Sequence, residues 1–188
     1  MKERTIASIV GGIIIFIWQF FSWTVSGIHN GNTKYHPQQD VILNAISSNI
    51  QEDGMYLMPN LPPNATMEQM QQLDKDMQGK PSATVIYHKS YESSMTRSMI
   101  RGFLLDVFMV FLLIYAVTRG GVQPPFVRMI AASVSIGLFS WLWGPYMDHV
   151  WFQMPWPAIT GHLLDAIAGW GITGIWLGWY LNRKRARV

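Results

Sequence analysis

The sequence predicts a mainly α-helical integral membrane protein, a four-helix bundle with a small α/β extracytoplasmic insert between its first and second helices. Three observations carry this expectation. The 188-residue chain gathers its apolar residues into four blocks of membrane-spanning length. Basic residues flank one end of every block. The stretch 29–98 between the first two blocks is too polar for lipid. A mean hydropathy of only +0.14 hides this pattern, because the polar stretch lowers the average.

The first block runs from Ile6 to Ile28 and holds Ile9, Val10, Ile13, Ile14, Ile15, Phe16 and Ile17 without a charge. The others run over Met99–Val117, Phe126–Tyr146 and Ala158–Leu181. A hydrocarbon layer of about 30 Å needs about 20 such residues as a helix. Lipid offers no hydrogen bonds to the backbone, and blocks without two-residue alternation satisfy their own amides as helices and not as barrel strands. The first block also exceeds the apolar core of a signal peptide, which is about 7–15 residues. It is therefore expected to stay as a span, although Lys2 to Arg4 would suit a leader and Val25-Ser26-Gly27 a cleavage site. The resulting division is 1–28 for the first span, 29–98 for the insert and 99–188 for a three-helix region with a basic tail.

Lysine and arginine near span ends are retained on the cytoplasmic side. Lys2, Arg4, Arg119, Arg128, Arg183, Lys184, Arg185 and Arg187 all fall on one side, with Glu3 as the only acid there, whereas the insert carries seven acids from Asp40 to Glu92. This places both termini in the cytoplasm and the insert on the far side of the membrane. A net charge of +3 is spent on these flanks and not on a stripe for nucleic acid, so no nucleic-acid partner is expected.

Within the insert, Ile42, Ala45, Ile46 and Ile50 recur at helical spacing after Pro37. Met55–Met58 reads as a short strand. Thr66 with Gln69 forms a capping-box pattern that opens a second helix with Met67, Met70, Leu73 and Met77 on one face. Ala83–His88 reads as a second strand able to pair with the first. So few large apolar residues leave a self-sufficient core doubtful at this size, and the insert is expected to lean on the ends of the spans or on a partner.

The chain has no cysteine, which excludes disulfides, thiolate chemistry and cysteine-held metals. It also carries no HExxH, GxSxG, P-loop or dinucleotide-binding motif, so neither catalytic residues, nor a cofactor, nor a metal is assigned. Charged groups inside spans are costly and mark sites. Asp106 and Asp165 each lie about 10 Å below the outer boundary at about 1.5 Å per residue. His162 shares a helix face with Asp165. Arg101, Asp148, His149 and Gln19 map to the same outer half, giving a candidate polar cluster of seven residues. It can be a set of pairs fixing helix register, a proton or ion relay, a metal or hydrolytic centre, or a pocket for a quinone or lipid. Gly174 and Gly178 have the spacing that lets helices approach closely, within the chain in preference to between subunits.

Several segments together resemble a known group: Arg4-Thr5 with Ile9-Val10-Gly11-Gly12 and Phe16-Ile17-Trp18; Pro37 to Asn44; Gly54 to Pro59; Arg101-Gly102-Phe103 leading to Asp106; and Asp165-Ala166, Trp170 and Gly174 to Gly178. They are similar to small bacterial inner-membrane proteins with four helices and no established activity. The resemblance implies topology and compartment over nearly the whole chain and transfers no residue role. The function expected is that of a non-enzymatic accessory, structural or assembly subunit whose partners are the lipid bilayer and other membrane subunits. The alternative is a small proton- or ion-coupled transporter or a membrane-embedded enzyme using the outer Asp/His cluster.

Overall fold

The computed structural model describes residues 2–119 and 124–183; Lys184, Arg185 and Arg187 of the basic tail lie outside the described residues. In chain order the elements are α1 (Lys2–Thr24), α2 (Gln39–Asn49), β1 (Gly54–Met58), α3 (Met67–Met77), β2 (Ala83–Tyr87), α4 (Met95–Thr118), α5 (Phe126–Trp141), α6 (Met147–Phe152) and α7 (Trp156–Asn182). A π-helical turn, Leu142–Tyr146 with Pro145 inside it, joins α5 to α6. A proline cannot donate the regular helical bond, and a wider turn accommodates it without ending the helix. The segment begun at Phe126 thus continues past Tyr146 to Phe152, where Gln153 adopts a left-handed φ of 53° and stops it.

The chain forms two compact units, one of Met1–Lys34 with Ser94–Val188 and one of Tyr35–Ser93. Residues 29–34 therefore go with the long helices.

In the first unit α1, α4, α5 and α7 alternate in direction. α1 runs antiparallel to α4, with Gly11 beside Val110 and Gly12 beside Val107, and antiparallel to α7, with Gly169 beside Trp18. α5 and α7 pair the same way: Gly174 lies against Ser133 and Ile130, and Gly178 against Phe126. Side chains lock the seams, as Ser133 donates to the Trp170 carbonyl at 2.6 Å and Trp141 to that of Ile159 at 3.0 Å. The basic ends meet as well. Arg4 reaches the Thr118 carbonyl at 3.4 Å, and Asn182 that of Pro124 at 3.1 Å.

Three segments, Lys2–Thr24, Met95–Thr118 and Phe126–Phe152, are long and apolar enough to cross a membrane. α7 is 27 residues long but is interrupted by His162, Asp165 and its glycines, and falls short of the other three in hydropathy where the sequence reading expects a fourth span. Its position accounts for this. α7 buries twelve residues, from Ala158 to Leu181, against six for α1, so a larger share of its surface faces protein, and small residues serve that share better than bulky apolar ones. α4 is the reverse case. It buries Asp106, Val110, Leu113, Ile114 and Thr118 on one stripe and leaves Leu104, Leu105, Phe108, Phe111 and Leu112 exposed.

The second unit contains two helices and a hairpin. Thr66 and Gln69 exchange both capping bonds at the start of α3. β1 pairs antiparallel with β2, Gly54 opposite Tyr87 and Met58 opposite Ala83. Beside the open end of this hairpin the Lys89 amide donates to Asp53 Oδ1 at 2.9 Å, and His88 Nδ1 lies 3.4 Å from Oδ2. The Lys89 amide, and then His88, hold the Asp53 carboxyl below the ordinary carboxylate range. A depressed carboxyl contributes stability that is complete above the unfolded-state value and is lost as pH falls through the folded one. The Lys89 amide resonance is therefore expected to titrate with a midpoint below that of a free aspartate, and to lose that titration in Asp53→Asn.

Candidate functional site

Two turns carry the chain from the end of α1 back onto α7. Gly27 takes a φ of 71°, a left-handed conformation that costs glycine little. Asn30 and Asn32 then close turns on the carbonyls of Gly27 and His29. This brings His29 over Gly161 of α7, where a Cβ would lie 2.7 Å from its Nδ1. Only glycine leaves room for the imidazole there. The ring stacks on Trp23 with centroids 4.0 Å apart and planes 7° from parallel, and His29 is buried.

Asp165, one turn below His162 on α7, is the hub. Its Oδ1 accepts from Trp18 Nε1 at 2.9 Å and from Ser22 Oγ at 2.5 Å, both on α1. Its Oδ2 lies 2.9 Å from His29 Nε2. Trp18 can approach because Gly169 stands where any side chain would collide with its ring. His162 faces His29 edge-on, with ring centroids 5.1 Å apart. The Asn32 amide nitrogen lies between them, 3.1 Å from His29 Nδ1 and 3.4 Å from His162 Nε2. The Asn32 carbonyl oxygen is buried and has no hydrogen-bond partner among the described residues.

This arrangement is not a serine hydrolase triad. A triad needs serine and carboxylate on opposite ring nitrogens of the histidine. Here Ser22 Oγ is 3.0 Å from Nε2, the nitrogen that also faces Asp165, and the hydroxyl donates to Asp165. What the cluster offers is ligand atoms: one from each of His29, His162 and Asp165 lie within 4.8 Å of one another. An open cleft of about 560 Å³ reaches the two histidines, lined by Trp23, His29, Asn30, Asn32, Thr33 and His162 among others.

No family model, curated protein or solved structure matches this chain. The site must therefore be read from its own geometry.

That geometry divides the seven residues of the sequence-predicted cluster. His162 and Asp165 come together. Asp106 stands apart on α4, where Oδ1 accepts from Gln19 Nε2 at 3.2 Å and the buried Oδ2 has no partner among the described residues. Arg101 is exposed. Asp148 and His149 belong to α6, where His149 Nδ1 lies 2.6 Å from the Met154 carbonyl and its ring packs on Trp156. Three members of the site were not singled out by sequence reasoning: His29, Ser22 and Asn32. The available signal was the run Ser26-Gly27-Ile28-His29-Asn30-Gly31-Asn32, whose turn-forming residues right after a span send a histidine back toward it.

Proposed function

We propose that the protein is a four-span integral membrane protein of a bacterial inner membrane, with its termini cytoplasmic, and that it works as a non-enzymatic accessory or assembly subunit. Four helices alternating in direction, basic flanks gathered at one end and apolar side chains turned outward on α1 and α4 support the membrane reading. α7 counts as the fourth span because it is as long as the others and lies antiparallel to both α1 and α5. The outward apolar residues would meet lipid.

One observation carries the accessory role. In the unit Tyr35–Ser93 no residue is buried, although it forms two helices and a hairpin. Val41, Met67 and Ile86 remain 67%, 68% and 70% exposed. A folded segment with so little interior gains its stability from a surface that covers it, and a partner subunit supplies one. The protein extracted in mild detergent is expected to run in native mass analysis as a complex with a companion chain, and deleting residues 38–88 should release that companion. A strictly monomeric particle without companions overturns the accessory role. Orientation has its own test: a protease added outside intact cells should cut within 35–93 and spare the tail after Leu181.

A second reading, a proton- or ion-coupled transporter or membrane-embedded enzyme, is favoured by one feature, the convergence of His29, His162 and Asp165 beside an open cleft that the two histidines line. Substituting His162 should abolish transport or turnover under that reading and leave partner binding intact under the first.

A further inference from the structure

We infer that His29, His162 and Asp165 form a binding site for one divalent transition-metal ion of the zinc class, open to the cleft on one side. This inference is independent of any partner on the second unit.

Two imidazoles and one carboxylate are the donor set that zinc and its neighbours accept, whereas calcium and magnesium require oxygen ligands. In a tetrahedral site with bonds of about 2.0–2.2 Å the ligand atoms stand about 3.4 Å apart. The His29 Nε2 to Asp165 Oδ2 separation is 2.9 Å, and all three ligand atoms lie within 4.8 Å of one another. These separations bracket that spacing.

The surroundings are those of a built site. Metal-binding carboxylates and imidazoles are oriented by outer hydrogen bonds. Asp165 receives both of its α1 donors on Oδ1, which leaves Oδ2 facing His29. The plane of His29 is fixed by Trp23, and its Nδ1 faces the Asn32 amide group at 3.1 Å. The unpartnered Asn32 carbonyl oxygen is an independent sign. It belongs to the amide whose nitrogen lies beside both imidazoles, and with that amide turned it would accept the Nδ1 hydrogen of His29 when Nε2 holds an ion; the cleft lined by His29, Asn32 and His162 gives the ion a way in.

The test uses full-length, tag-free protein in detergent, stripped with a chelator and titrated with Zn2+ or Co2+ alone. The expected result is one ion per chain at sub-micromolar affinity. His162→Ala should weaken binding by about 100-fold or more and Asn32→Ala by about 10–100-fold. The metal-free melting temperature of His162→Ala should fall far less than that of Asp165→Ala, since His162 takes no part in the Asp165 bonds and meets only the His29 and Trp23 rings and the Asn32 amide. A purely structural cluster would bind no ion, and an adventitious one would be indifferent to His162. No stoichiometric binding, or binding that survives His162→Ala, overturns the proposal. Should that variant fail to fold, X-ray absorption of the wild-type zinc form decides: scattering from two imidazoles supports the site, and its absence removes it.

Discussion

Asp165→Ala is expected to destabilise the metal-free protein by about 2–3 kcal/mol in detergent, while Asp165→Asn costs less than about 1 kcal/mol. Single hydrogen bonds between membrane helices contribute about 0.6 kcal/mol on average, so one lost bond would be barely visible. Asp165 accepts from Trp18 and Ser22 and pairs with His29. Alanine removes the shared acceptor of all three at once, leaving Trp18 with none and Ser22 and His29 Nε2 with only each other at 3.0 Å, and the His29 side chain is only 4% exposed. A buried donor stripped of its acceptor loses the bond without regaining water. Asparagine keeps an oxygen for Trp18 and Ser22 and turns an amide toward His29 Nε2. The imidazole then carries its hydrogen on Nδ1, and a flipped Asn32 amide can accept it. Chemical denaturation followed by tryptophan fluorescence distinguishes the two variants. Equal losses would mean that charge, and not the number of acceptors, holds α1 to α7; an alanine variant as stable as wild type would mean that the network holds nothing.

The long helices and the insert were legible because their signals are local. Apolar runs fix α1, α4 and α5, and the Thr66 and Gln69 pattern yields the cap on α3 that forms. Met55–Met58 and Ala83 onward read as strands and pair as β1 and β2. The site was half legible. His162 and Asp165 stand out as polar residues in an apolar block, three apart on one face. His29 does not, because a histidine just past a span looks like the first residue of a polar loop. Its role depends on Gly27 reversing the chain and on Gly161 lacking a side chain, two facts far apart in sequence. Depth below the membrane boundary was also a poor guide to contact. Asp106 and Asp165 lie at similar predicted depth, yet each takes partners from a different face of α1, Gln19 for one and Trp18 with Ser22 for the other. Depth fixes one coordinate, and which face of a neighbouring helix is met fixes the rest.

Gly12→Val is expected to cost about 3 kcal/mol or more, with Gly12→Ala at about 1–2 kcal/mol. A Cβ at Gly12 would lie 2.5 Å from Val107 Cγ2 and 2.8 Å from the Val107 Cα and amide nitrogen. The side chain could rotate away, but the helix backbone behind it cannot, so α1 and α4 must separate. Association of helices in lipid depends on close packing because lipid is as apolar as the side chains it would replace. The separation has a second consequence. Gln19 lies two turns along α1 and is the only described side chain bonded to Asp106, so moving α1 outward lengthens that bond and leaves a buried carboxyl without any donor. Gly102, on α4 itself, is the control. Nothing lies within 4 Å of a Cβ placed there, and alanine in a helix interior gains roughly 0.5–1 kcal/mol over glycine. Gly102→Ala should therefore match or exceed wild type in the same denaturation series in which Gly12→Ala falls below it. If both alanine variants shift together, the helix preference of the residue outweighs contact between α1 and α4, and the close approach of Gly12 to Val107 is not what holds the pair.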